Sequence, residues 1–263
     1  MTHTAHTSPV SIADMNGVRT ITLDHPATRN ALSSTMMSAL CSAFRDAAAD
    51  PGVRVVVLAA NGPAFCAGHD LKEIRANPSS DFHVALMDGC VALMLSIVRC
   101  PKPVIARVHA TATAAGCQLV ASCDLAVAVQ EAKFATPGVN IGLFCSTPMV
   151  ALSRNLSSKH AMEMLLCGEM IDADTAWRMG LVNRVVSATD LDATVGRLAQ
   201  TIAAKSSHTL AIGKEAFYTQ KEMGLEEAYR YAAGVMVANL QAEDAKEGIG
   251  AFIEKRPPCW VDR

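Results

Sequence analysis

Val53-Arg54-Val55-Val56-Val57-Leu58-Ala59-Ala60-Asn61-Gly62-Pro63-Ala64-Phe65-Cys66-Ala67-Gly68-His69-Asp70-Leu71-Lys72-Glu73 is the stretch on which the fold turns. Residues 53–59 are apolar apart from Arg54, the mark of a strand buried on both faces. Glycine-bearing chain follows at the carboxyl end of that strand, where open α/β sheets place their ligands. Ala67-Gly68 put little side chain in the way, so a ligand can approach the backbone closely. The next amide, that of His69, is then free to point at an acceptor. Taken alone, the same residues also describe nothing more than a tight strand-to-helix turn.

A second segment has the same build. Val108-His109-Ala110-Thr111-Ala112-Thr113-Ala114-Ala115-Gly116-Cys117-Gln118-Leu119 follows another buried strand, residues 103–108, and holds only small residues between His109 and Cys117. A helical run begins inside it. Free N–H groups at a helix start, with the positive end of the helix dipole, favour an anion. The plainer reading is that small residues let the helix pack tightly on the sheet. Together, two backbone N–H groups from neighbouring strand ends can converge on one oxygen, which is an oxyanion hole.

Outward from these loops the chain alternates strand and helix. Residues 10–14 and 18–23 flank Asn16-Gly17, a hairpin signal. Ser33 or Ser34 caps a helix reaching residue 49, with Met37, Leu40, Cys41 and Phe44 on one face. Helices are expected at 82–98 and 114–122, and a strand at 125–129. The later part reads as helical over 156–167, 173–180, 191–204, 207–223 and 225–253, with one strand at 181–186. This pattern predicts an α/β domain with mostly parallel strands. Its core spans residues 9–200, and a helical region follows over 201–263.

Composition narrows the partners. The chain has 263 residues, 51% hydrophobic and 18% charged, unlike a disordered chain and sufficient for a full core with a pocket. A formal charge of -2 and a pI near 6.4 lack the basic footprint of a nucleic-acid binder. Mean hydropathy is high at +0.23. The longest apolar runs, around 53–60 and 91–98, still fall short of the ~20 residues of a membrane span, so none is expected. Nine cysteines without a CxxC pair read as reduced, buried thiols of a cytoplasmic protein. The histidines show no ligand spacing, so no metal is expected. Residues 1–8 are polar, lack the apolar segment of a secretory signal, and read as a disordered tail.

The two loops resemble the signature segments of the crotonase superfamily, the enoyl-CoA hydratase/isomerase family. Its pattern is similar to F-[CS]-x-G-x-D-[LI], followed by N-G-x-[AC]-x-G-G-G-x-[EG]-L. Asn30-Ala31-Leu32, residues 176–186 and Phe252-Ile253-Glu254-Lys255-Arg256 extend the likeness to nearly the whole chain. The resemblance implies a crotonase (ClpP/crotonase-like) spiral of ββα units, with a helical C-terminal region that builds a homotrimer or a dimer of trimers. It implies an acyl-CoA thioester as ligand, with coenzyme A entering as part of the substrate and no separate cofactor. The thioester oxygen would accept from the amides of His69 and Ala115. Ala67, Asp70, Leu71 and Lys72 match positions along the adenine and pantetheine path. Arg29 would meet the CoA phosphates, and Lys255 a neighbour's ligand.

The departures are as informative. Hydratases of this family use two glutamates to deliver a water; here those positions are Gln118 and Gly138. In this the chain is similar to the enoyl-CoA hydratase domain-containing proteins, which lack both. An amide is no base and glycine has no side chain. General acid–base groups contribute roughly 10²–10⁴-fold each, so hydration is expected to be weak or absent. The loop Ile141-Gly142-Leu143-Phe144-Cys145-Ser146-Thr147-Pro148-Met149 also departs from the family's L-G-x-x-P-x-x-G-G. Cys145 and Ser146 are pocket candidates without a paired base. His69, His83 and His109 offer imidazoles, and Asp70 reads as a helix cap. Three readings stay open: an enolate-stabilising enzyme with altered acid–base chemistry, a non-catalytic acyl-CoA-binding or regulatory protein, or another crotonase reaction such as decarboxylation or thioester hydrolysis.

Overall fold

The structure is a computed structural model that describes residues 8–263. The tail expected over residues 1–8 lies, apart from Ser8, outside the described residues.

β1 (Val10–Met15) and β2 (Val18–Leu23) form the antiparallel hairpin. Asn16 and Gly17 turn it with φ of 51° and 77°, the two left-handed positions a type I′ turn needs. A 3-10 turn at Pro26–Thr28 leads to α1 (Ser34–Ala49), where the Ser33 hydroxyl accepts from the Met36 amide at 3.2 Å. Next come β3 (Val55–Ala60), α2 (Leu71–Ala76), α3 (Ser80–Val98), β4 (Val104–Val108), β5 (Ala112–Thr113), α4 (Ala115–Ser122), β6 (Leu125–Val129) and β7 (Lys133–Ala135). After a 3-10 stretch at Pro137–Ile141 follow α5 (Ser146–Asn155), α6 (Ser158–Cys167), β8 (Ile171–Asp172), α7 (Ala173–Met179), β9 (Arg184–Val186) and α8 (Leu191–Ala203). The chain closes with α9 (Ser207–Gln220), α10 (Leu225–Gln241) and α11 (Glu243–Glu254).

The main sheet runs β1-β2-β3-β4-β6-β9, parallel throughout except for the β1–β2 hairpin. Val56 pairs with Val104 and Ile105 with Leu125, so β3, β4 and β6 end side by side. All six β3 residues are buried, because helices cover both faces. A smaller sheet, β5-β7-β8, takes two of its strands from the chain just beyond β4 and β6. The turns at β2 and β3 are followed by helices alone, whereas those at β4, β6 and β9 also give a short strand, β5, β7 or β8, to the small sheet.

Several boundaries differ from the sequence reading. α5 was not expected, and the helix expected over 156–167 starts after it, where the Ser157 hydroxyl caps α6 by accepting from the His160 amide. The strand expected at 181–186 pairs only over Arg184–Val186, while Leu181 and Val182 turn into the core. The helix expected over 225–253 is two helices. It breaks at Ala242, which is extended at ψ 149°. Buried Asp244 then accepts from the amides of Val261 and Asp262, tying the C-terminal segment to the start of α11.

α3 is the one helix among the described residues long and apolar enough to cross a membrane by length and composition. Its sequence shows no continuous apolar run of that length, because Asp81, His83, Asp88 and Ser96 interrupt it. Leu86, Cys90, Leu93, Met94 and Ile97 seat one face of this helix in the core.

Candidate functional site

The first loop leaves β3 at Ala60 and is clamped from below by Asn30. This residue is fully buried, with a left-handed φ of 54°. Its side-chain oxygen accepts from the His25 amide at 2.9 Å, and its amide nitrogen donates to the carbonyls of Asn61 and Ala64 at 2.8 and 2.9 Å. Beyond the clamp, Leu32 bridges to His69 in parallel register. The bridge uses the Gly68 carbonyl and the Asp70 amide, which turns the amide of His69, between them, to the opposite side. Asp70 ends the loop as expected: its carboxylate accepts from the amides of Lys72 and Glu73 and caps α2.

The second loop lies against the first. The Phe65 amide donates to the Thr111 carbonyl at 2.9 Å, and the Thr113 amide to the Cys66 carbonyl at 2.9 Å. The Thr113 hydroxyl donates to the Ala67 carbonyl at 3.1 Å. Two glycines permit the contact. Gly68 has φ +92°, and a Cβ there would come within 2.8 Å of the Ala114 Cβ and 3.3 Å of the Ala115 nitrogen. A Cβ on Gly116 would overlap the Cys66 carbonyl. Ala114 itself stands at φ 50°, ψ −120°, a conformation that glycine favours and other residues hold only under strain. This twist presents Ala115 as the first residue of α4.

The amides of His69 and Ala115 are therefore neighbours across the loop contact. Among the described residues neither donates to a protein acceptor. Unpartnered backbone amides in a folded interior are rare; two side by side at a helix start make a site for one oxygen. The His69 ring is mostly buried. Burial lowers its pKa from the usual 6.5, opposed by the Glu73 charge, and its Nε2 has no partner.

Gln118 sits one turn along α4 from Ala115 and is 4% exposed. Its oxygen receives a long contact of 3.9 Å from the Cys90 thiol. Gly138 is buried in the 3-10 stretch. A Cβ there would come within 2.7 Å of the Leu143 carbonyl oxygen and 2.9 Å of the Cys145 sulfur. The space for a side chain is thus already filled by the altered loop. Burial raises the Cys145 thiol and pushes the neighbouring thiols of Cys90 and Cys117 up to about 11 and about 12; these are packed, protonated groups. Ser146 is exposed, its hydroxyl turned to the Phe144 carbonyl at 3.3 Å.

The expected ligand-path residues fall into two places. The Arg29 carbonyl accepts from the Ala67 amide, and Arg29, Ala67, Leu71 and Lys72 are all exposed around the first loop. Lys255 is elsewhere. It ends α11 with φ 57°, and the segment after it is held by Arg54 pairing with Asp262 at 2.7 Å, at the opposite end of β3. His83 is exposed on the first turn of α3. His109 holds the Gly62 carbonyl through Nε2 at 2.8 Å. Among the described residues no three His, Cys, Asp or Glu side chains gather to hold a metal.

The sequence reading missed the Asn30 clamp, the Thr113 tie, the Ala114 twist and the filling of the Gly138 space. Only the first had a signal in sequence, an asparagine just before a helix start. The others depend on contacts between distant segments.

The family model described as enoyl-CoA hydratase/isomerase matches residues 13–263. A Xenopus laevis protein named enoyl-CoA hydratase domain-containing protein 3, mitochondrial, is 45% identical over 98% of this chain and 88% of its own length. The crystal structure of a Mycobacterium smegmatis enoyl-CoA hydratase superposes with a TM-score of 0.93 at 53% identity, covering 95% of this chain and 98% of that one. That of human enoyl Coenzyme A hydratase domain-containing protein 3 superposes with 0.93 at 45% identity, covering 96% and 100%. The architecture is the α/β crotonase spiral that the resemblance implies. One expectation is corrected: the frog protein and its rat and human counterparts are named mitochondrial, against a cytoplasmic location. Reduced cysteines exclude only oxidising compartments and do not separate the reducing ones from each other.

Proposed function

Because the chain belongs to the enoyl-CoA hydratase/isomerase family, we propose that it binds an acyl-CoA thioester and stabilises the enolate on two backbone amides, with little or no addition of water. The observation that carries this reading is the pair of unpartnered amides of His69 and Ala115 at the loop contact. As charge develops on the thioester oxygen, donors already in place stabilise it without reorganising. Arg29, Ala67, Leu71 and Lys72 surround the first loop where the CoA moiety would lie, with Asp70 holding the loop end. Residues 201–263 serve as the oligomerisation region of a homotrimer or dimer of trimers. This is supported by the apolar residues that α10 and α11 leave exposed, among them Met236, Val237, Phe252 and Ile253.

The water-adding step lacks its groups. Gln118 has no proton to exchange near neutral pH, and the Leu143 carbonyl and Cys145 sulfur occupy the space beside Gly138. That filling favours a second reading over hydration: a reaction that needs only the oxyanion hole, such as decarboxylation, or acyl-CoA binding without turnover. The test is incubation of the full-length protein with crotonyl-CoA, following loss of the conjugated thioester absorbance, alongside calorimetric titration with butanoyl-CoA. Binding with hydration at least a thousandfold below that of a hydratase carrying both glutamates is expected. Turnover equal to such a hydratase, or no binding of either thioester, would overturn the reading.

A further inference from the structure

We infer that the acyl group taken by this site is long and apolar, well beyond the crotonyl group, and that it lies in the cavity beyond Gln118. The inference rests on the acyl-CoA reading and adds the class of acyl group to it. The cavity, about 840 Å³, lies between the end of α3, α4, α5 and α9. Ala115, Gln118 and Ser122 follow one another along one face of α4, at i, i+3 and i+7. Ala115 offers the amide, and Gln118 and Ser122 line the cavity. At 1.5 Å of rise per residue the cavity wall begins about 4.5 Å along the helix from that amide. An acyl chain that turns from a carbonyl held there past Gln118 enters this cavity.

The walls state what they accept. Met94 and Val98 of α3, Ala121 of α4, Val150 and Ala151 of α5, and Ile212 of α9 supply an apolar lining. Most of the charged groups around it are paired within the protein. Lys214 pairs with Asp124 at 2.6 Å, and the Tyr218 hydroxyl donates to the same carboxylate at 2.9 Å. Asn155 donates to the carbonyls of Ala121 and Ala151, and Arg154 pairs with Glu222 at 3.1 Å. Arg99 and Glu215 are exposed, at the solvent edge. Gln118, at the end nearest Ala115, keeps only the 3.9 Å thiol contact; beyond it no unpaired charge faces the interior to hold a charged acyl end, and a four-carbon chain would leave most of the space without contacts.

The test is calorimetry of the full-length protein with free CoA and with butanoyl-, octanoyl- and dodecanoyl-CoA. Burying each added methylene should tighten binding about fourfold, hence about two hundredfold from butanoyl to octanoyl. Val150→Trp and Ala211→Trp narrow the cavity from two different helices. In each, with its circular dichroism unchanged, the ratio of dodecanoyl to butanoyl affinity should collapse towards one. Firm butanoyl binding with no gain on lengthening would overturn this inference and leave the acyl-CoA reading standing, as would a ratio unmoved in both variants. Failure of every thioester to bind would defeat the acyl-CoA reading itself, and this inference with it.

Discussion

At Asn30 one buried amide group ties three backbone positions, and the first loop owes its path to it. Asn30→Ala removes all three bonds and strands buried polar groups, each worth about 1–3 kcal/mol when left unmade. A loss of about 3 kcal/mol in urea unfolding is expected; a loss below about 0.5 kcal/mol would mean that the loop holds itself. His69 gives a pH signature. Its folded pKa lies below 6.5 because of burial, so the unfolded chain takes up the proton first as the pH falls. The stability contributed by the neutral ring is present above pH 6.5 and drains away as the pH falls from there through the depressed folded value. His69→Gln keeps the backbone amide and removes the titration. Its urea midpoint should change less between pH 7.5 and pH 5 than that of the unaltered protein, and equal changes would place the ring in solvent.

Among the elements, the 3-10 stretch Pro137–Ile141 and the start of α5 decide the chemistry. Gln118→Glu with Gly138→Glu supplies the two carboxylates that the resemblance implies, but not the room for the second. The Leu143 carbonyl stands where the new Cβ must go, and overpacking of this kind costs about 1–3 kcal/mol. The double variant should be less stable and should still fail to hydrate crotonyl-CoA; a gain of hydration without loss of stability would show that the loop yields. That Gln118 and Gly138 stand where the resemblance implies glutamates was legible in sequence, because it is a matter of residue identity. The filled space was not, because it depends on where the chain five to seven residues later comes to rest. Likewise the long strands and helices were readable by their periods. β5, β7 and β8, of two or three residues, are too short to have one. α5 was hidden by Pro148, which reads as a breaker although its place in the first turn of a helix is a tolerated one. The break at Ala242 was hidden because both sides are good helix formers, and the cause, Asp244 binding the C-terminal segment, is remote in sequence.

For the molecule as a whole, α9 links α8 to the last two helices. It has no fully buried residue and is fastened by Lys214 and Tyr218 to Asp124, at the start of β6. Lys214→Met leaves that carboxylate largely buried with its charge unpaired. A loss of about 3 kcal/mol is expected from breaking such a pair, with α9 amides exchanging hydrogen faster than those of α4. A loss below about 1 kcal/mol, with exchange unchanged, would mean that packing alone seats the helix. The same fastening closes the cavity, so longer acyl-CoAs should bind this variant more weakly too.

In the proposed function a thioester oxygen rests between the amides of His69 and Ala115. Isotope-edited infrared spectroscopy of butanoyl-CoA carrying ¹³C at the thioester carbonyl reads that oxygen directly. Two donors withdraw electron density from the C=O bond, so the carbonyl band of the bound ligand should move to lower frequency than in free butanoyl-CoA. A bound ligand whose carbonyl band stays at the solution frequency would contradict the account.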